Sequence, residues 1–213
     1  KTVSGIAREF ADAPDQSCLN RFLTESPWDP ERLNQQRLEW LQADPTTRYR
    51  QDGVIAIDNT LIDHDGKLIE DVGYYWDHAE HRHVIAHDYL FANYVNPSGK
   101  HYPLDFRRFR KREQCEDAHP FASHTDLVKD MIDWVVAEDI PGNFTFDSYF
   151  TNAPVMNHIQ HHDRGYIGDL KFNRVIIVKG QEQTVSAWVQ TLRPWCRTKF
   201  TVGERTQWYY TTT

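Results

Sequence analysis

Cysteine is scarce: Cys18, Cys115 and Cys196 are the three in 213 residues. They are scattered, contain no CxxC pair and are odd in number, which argues against a disulfide framework or thiolate zinc centre and for a reducing interior. No stretch approaches the roughly 18 consecutive apolar residues of a membrane span. Glycine and proline, ten each, are too few for a collagen-like or low-complexity chain. The opening residues, Lys1 to Gly5, include no initiator Met and no apolar signal segment. A non-secreted chain cut from a longer one is expected.

What is present reads as globular. Hydrophobic residues make up 39%, aromatics 13% and charged residues 26%. A chain of this length forms one domain or slightly more and buries about 70% of its unfolded surface.

Charge is distributed unevenly. The net charge of -7 resolves into -2 over residues 1–52, -6 over 53–99, +5 over 100–112, -9 over 113–163 and +5 over 164–213. Two basic blocks on an acidic chain fit a local electrostatic footprint. The densest runs from Phe106 to Arg112, where Arg107, Arg108, Arg110, Lys111 and Arg112 are interleaved with two Phe. Such a run can neutralise phosphates and stack on bases, or it can form a solvated face or salt bridges to the acid-rich segment that follows.

The first 50 residues read as helices. Ser17 is a candidate cap for a short helix ended by Pro27, and Asp29-Pro30 opens another to about Leu41, with Leu33, Leu38 and Leu41 on one face. From Gly53 the period changes. Gly53 to Asp58 is a short apolar run ending in a carboxylate, followed by the Asp65-Gly66 turn and strand candidates at 72–76 and 83–90. Ser123 and Asp126 form a capping-box pattern for a helix to about Glu138, with Leu127, Met131, Trp134 and Val135 inward. Phe144 to Asp147 is a fourth strand, again ending in Asp. A helix at 154–160, a strand at 166–170 and a hairpin around Gly203-Glu204 complete the pattern.

This β-β-β-α-β-α-β order is that of an α/β, ribonuclease-H-like mixed sheet flanked by helices, in which the first and fourth strands are parallel neighbours. Asp58 and Asp147 then meet near one edge of the sheet. Two ionised carboxylates side by side repel unless a cation lies between them, and Mg²⁺ suits such a site. The alternative is that each Asp caps the loop after its strand.

The residues also carry a family resemblance. Residues 56–67, Tyr75 to Glu80, His87 to Asn93 and Phe146 to Phe150 resemble motifs of the DDE transposases of bacterial insertion sequences, and 1–7, 19–23 and Pro27-Trp28 are similar to the helical region before their catalytic core. The resemblance implies an N-terminal helical region (1–50), an incomplete ribonuclease-H-like core (51–172) and the start of a β-rich insertion (173–213). It implies a Mg²⁺- or Mn²⁺-dependent endonuclease that cuts transposon ends and joins the 3′-hydroxyl to target DNA. Asp58 and Asp147 match the first two acids of the triad and would hold the metal. The partner would be double-stranded DNA, gripped by Arg107, Arg108, Arg110, Lys111 and Arg112; Lys171, Arg174 and Lys179 either line a DNA channel or serve surface solubility. A homodimer and a cytoplasmic, nucleoid-associated location follow by the same analogy.

The family's third acid is a Glu on a late helix. Here the fifth strand is followed only by strand-like sequence holding Asp169, Glu182 and Glu204. The expectation is a chain that ends inside the insertion without its third ligand, Glu204 being a weak substitute. A remnant that binds DNA without cutting it is the runner-up.

Eleven histidines suggest a second metal chemistry. His78, His81, His83 and His87 cluster, the last three sharing parity on a strand, while His158 and His162, flanking His161, have the i, i+4 spacing zinc uses, without the Glu of HExxH. A histidine-metal hydrolase would follow from them. Trp76, Trp134, Trp188, Trp195 and Trp208 are expected in the core or against the sheet rather than as stacking platforms.

Overall fold

A computed structural model describes Gly5, Arg8 and residues 15–65, 69–193, 197–202 and 205–210. The chain forms two compact units, Lys1–Arg48 and Tyr49–Thr213.

The first unit holds helices α1 (Gln16–Glu25) and α2 (Pro30–Ala43). The cap of α1 is Asp15 rather than Ser17: its carboxylate accepts the Ser17 backbone N–H at 2.7 Å and the Ser17 hydroxyl at 2.9 Å. A charged acceptor suits the positive end of a helix. Asp29 caps α2 through the Arg32 N–H, with Pro30 in the first turn. Trp28 meets Phe22 edge to face at 4.5 Å and donates its indole N–H to the Phe22 carbonyl.

The second unit is built on a six-stranded sheet of β1 (Val54–Asp63), β2 (Gly73–Asp77), β3 (Arg82–Val95), β4 (His101–Phe109), β5 (Asn143–Phe146) and β6 (Tyr166–Gly168). β2 and β4 pair successive parts of one edge of β3, whose other edge is antiparallel to β1. β1 is parallel to β5, and β5 to β6. The arrangement is α/β and ribonuclease-H-like, as the sequence predicts.

Three strands differ from expectation, β3 among them, since it runs on to Val95 rather than ending at Leu90. β1 runs five residues past Asp58, because β3 pairs with it along its whole length and keeps the polar stretch to Asp63 extended. β4 coincides with the start of the basic run. Its inward residues, Tyr102 and Leu104, are buried, but Pro103 and three charged residues obscure the alternation. Pro is tolerated because β4 is an edge strand, beside a register shift at Ala92/Asn93.

Helices α3 (His124–Ala137) and α4 (Ala153–His161) follow. The Ser123–Asp126 capping box forms as read. The buried face of α3 is Val128, Met131, Ile132 and Val135, while Leu127 and Trp134 lie at its margins. The inward stripe is rotated by one residue from that read in the sequence. In the sheet, Ile55, Ile57, Leu90, Ala92, Tyr94 and Phe144 are fully buried; each Ile, Leu or Phe among them contributes about 1.5–3 kcal/mol relative to exposure. Gly142, at φ 121°, lies so close to β1 that a Cβ would come 2.6 Å from the Gly53 carbonyl oxygen. That approach leads the chain into register beside β1.

Beyond β6, hairpin β7 (Val175–Val178) and β8 (Gln181–Thr184) turns at Lys179 and Gly180, both with positive φ. Helix α5 (Val185–Thr191) corrects the expectation of strand alone, and it carries no acid. The expected tail hairpin is β9 (Arg197–Val202) with β10 (Arg205–Tyr210); Glu204 lies outside the described residues. Trp76, 43% exposed, is not a core residue, and Trp134 and Trp188 are half-buried. Trp195 and the Trp208 side chain lie outside the described parts.

Candidate active site

In the parallel ladder Ile57 stands opposite Phe146. Asp58 and Asp147 are the next residues on the two chains, and strand alternation sends Asp58 toward the Ala56 side of the sheet. Asp58 is mid-strand, Asp147 just past the end of β5. An Asx turn fixes Asp147, whose Oδ1 accepts the backbone N–H groups of Tyr149 and Phe150 at 2.8 and 3.3 Å. Asp58 Oδ1 accepts the Asn59 N–H at 2.8 Å. Surrounding protein pushes the Asp58 carboxyl above the usual range; the Asn59 N–H opposes this and the Asp147 charge adds to it.

β6 continues the row. Gly168 pairs with Phe146, so Asp169 follows at the level of Asp147. Among the described residues, no third His, Cys, Asp or Glu completes a chelating group with Asp58 and Asp147.

Behind the acids runs a polar chain that the sequence reading missed. Asp88 is buried in β3 at 3% exposure. Its Oδ1 accepts the Asn59 side-chain N–H at 3.2 Å, and its Oδ2 lies 2.8 Å from His124 Nε2. His124 Nδ1 faces the Tyr149 hydroxyl at 3.4 Å. Asn59 adjoins Asp58 and Tyr149 belongs to the Asp147 turn, so the chain links both acid-bearing segments. Phe109 stacks on His124 with ring centroids 3.9 Å apart, at a cavity of about 310 Å³ lined also by Phe121 and Tyr149. The available signal was Asp88 itself, an ionisable group inside an apolar strand, which must find a partner.

Each cation of the basic run has an internal contact. Arg107 bridges Asp105 and Asp130; Arg108 and Arg110 converge on Asp71 at 2.6 and 2.9 Å. Lys111 donates to the Tyr74 carbonyl and lies over the Tyr75 ring, and Arg112 stacks on Phe121 at 4.1 Å. Asp71 and Asp105 precede the run, so most of its acid partners are not in the segment after it. Lys171 and Arg174 are exposed at a turn before β7, and Lys179 is exposed in the β7–β8 turn.

The first histidine cluster does not gather. His81 occupies a turn at φ 50°, outside the strand. His83 stacks on Tyr74, and His87 bridges His64 and the Glu70 carbonyl. His158 and His162 do converge, and they meet Asp133.

Residues 1–194 match the family model described as DDE superfamily endonuclease. The chain belongs to this family of endonucleases. No curated protein matches it.

DDE endonucleases generally use divalent metal. The donor set here suits a hard dication: two neighbouring carboxylates, one with its charged form disfavoured by burial and by the other's charge. Among the described residues, no helix is long and apolar enough to cross a membrane.

Proposed function

We propose that the chain is a metal-dependent transposase that cleaves insertion-sequence ends and transfers the freed 3′-hydroxyl to target DNA. Asp58 and Asp147 hold Mg²⁺ or Mn²⁺. The carrying observation is the Ile57–Phe146 register, one residue short of each acid, in a DDE superfamily endonuclease. When bound, the ion lowers the pKa of an attacking water and offsets charge developing on the phosphate. The protein's part is alignment: the Asn59 N–H orients the Asp58 carboxylate, and the Asx turn orients that of Asp147.

On this reading residues 1–50 form a helical region, 51–172 the catalytic core and 173–213 part of a β-rich insertion. Arg107, Arg108, Arg110, Lys111 and Arg112, with Lys171 and Arg174, meet the phosphates of double-stranded DNA by exchanging internal partners for phosphate oxygens, without reading sequence. A homodimer would hold two ends together.

The test uses labelled transposon-end duplex with Mg²⁺ or Mn²⁺, comparing the parent with Asp58→Asn and Asp147→Asn. Cleavage and strand transfer by the parent, abolished in both variants, is expected. Cleavage untouched by either substitution removes both acids from the site. A parent that binds the duplex and never nicks it favours the DNA-binding remnant instead. Replacing Arg107 and Arg108 should weaken binding equally for all sequences and flatten the salt slope by about one per lost contact.

A further inference from the structure

Outside the acid pair, one cluster brings together side chains of the kind that hold a transition metal. His158 and His162 lie one turn apart on α4 and its C-cap, and Asp133 faces them from α3. Both Nε2 atoms approach the same oxygen, Asp133 Oδ1, at 2.8 and 2.7 Å. The donor atoms all lie within 4.8 Å of one another, and the imidazole rings meet edge to face at 5.1 Å. We propose that Asp133, His158 and His162 form a zinc site that clamps α4 to α3.

The donor chemistry selects the ion. Two imidazole nitrogens and one carboxylate oxygen suit Zn²⁺, with water in the fourth position, whereas Mg²⁺ favours an all-oxygen shell. The two sites of the molecule therefore sort different metals.

The geometry requires little movement. Tetrahedral zinc with bonds near 2.0–2.1 Å needs ligand atoms about 3.3 Å apart. Each N···O contact, now 2.8 and 2.7 Å, must open by roughly half an ångström. The Asp133 side chain is 52% exposed and the histidines 24% and 28%, so the carboxylate can withdraw and an ion can enter. Position also favours a cation, because the histidines occupy the negative end of the α4 dipole.

The site has a structural use. α4 buries only Val155 and Ile159 among its own residues, so a metal cross-link adds a restraint its apolar face does not supply. It is also distinct from the Asp88–His124 pair: Asp133 is nine residues along α3 from His124, about 14 Å of helix axis.

The experiment uses the tag-free full chain, stripped with chelator and titrated with Zn²⁺ by calorimetry and thermal melting. We expect one Zn²⁺ per chain, a higher melting temperature, and no displacement by millimolar Mg²⁺. His158→Ala and Asp133→Ala should each weaken zinc binding roughly 100-fold or more, while Asp58→Asn leaves it unchanged. Co²⁺ loaded into the parent should show the intense visible bands of a tetrahedral site, a readout that stands even if a variant fails to fold. Absence of Zn²⁺ uptake, uptake unaffected by the His158 and Asp133 substitutions, or loss of binding on Asp58→Asn overturns the proposal.

Discussion

His124 Nε2 lies 2.8 Å from the Oδ2 of Asp88, a carboxylate almost sealed within β3. The pair joins the start of α3 to the sheet and supports the turn that carries Asp147, through Tyr149. Its value is asymmetric, because a buried charge that loses its partner costs far more than the intact pair contributes.

Replacing His124 by Ala leaves Asp88 with the Asn59 amide as its remaining side-chain donor. A loss of about 3 kcal/mol is expected in denaturant unfolding. The double variant His124→Ala, Asp88→Asn should lose less than the two single losses combined. Full additivity would show that the residues do not act as a pair.

The raised carboxyl of Asp58 has a pH signature. Its carboxyl is raised by burial, partly offset by the Asn59 N–H, with the Asp147 charge adding to the rise. The native state therefore keeps a proton that the unfolded chain releases, and stability falls as pH rises from the ordinary carboxylate value through the raised one. Thermal melts of metal-free protein should show this fall in the parent and its loss in Asp58→Asn. Above that window, Mg²⁺ should raise the melting temperature of the parent more than that of the variant.

Asp71 has the opposite sign. Burial would raise its carboxyl, but the Arg110 hydrogen bond and the charges of Arg108 and Arg110 outweigh burial and hold it low. Its contribution is present above the unfolded-state pKa and lost as pH falls through the folded one. Asp71→Asn keeps a residue that tolerates the φ of 58° and should cost about 2 kcal/mol at neutral pH. It also releases two guanidinium groups. Duplex binding at low salt should tighten and its salt slope steepen by up to about two, as measured by anisotropy titration at several salt concentrations.

Tyr75 offers a gain. Its hydroxyl is buried without a hydrogen-bond partner among the described residues, and burial together with nearby Asp88, Glu113 and Asp71 pushes it up to about 12. Tyr75→Phe removes a desolvated polar atom and should stabilise by about 1 kcal/mol. A melting temperature below the parent's would show that the hydroxyl is satisfied.

The legible parts of the fold were those where a local pattern agrees with the tertiary environment. The apolar runs before Asp58 and Asp147, the Ser123–Asp126 box and the Asp29-Pro30 start read directly. β4 did not, since an edge strand with Arg107 and Arg108 on opposite faces, and with Pro103 and Asp105 beside its apolar positions, lacks clean alternation. The far half of β1 was hidden because its residues are polar and only pairing with β3 keeps them extended. Asp88 with His124, and Asp133 with His158, are separated by 36 and 25 positions. No spacing rule reaches across such a gap; folding alone brings them together.

β5 contributes only four rungs beside β1, then turns away while its neighbour continues for six more residues. The sheet consequently has a notch, with Asp58 on its continuous wall and Asp147 at its broken corner. One more rung on β5 would draw the Asp147 backbone into the ladder and close the opening. The early ending of a short strand thus leaves the Asp147 carboxylate on a turn, outside the ladder that holds Asp58.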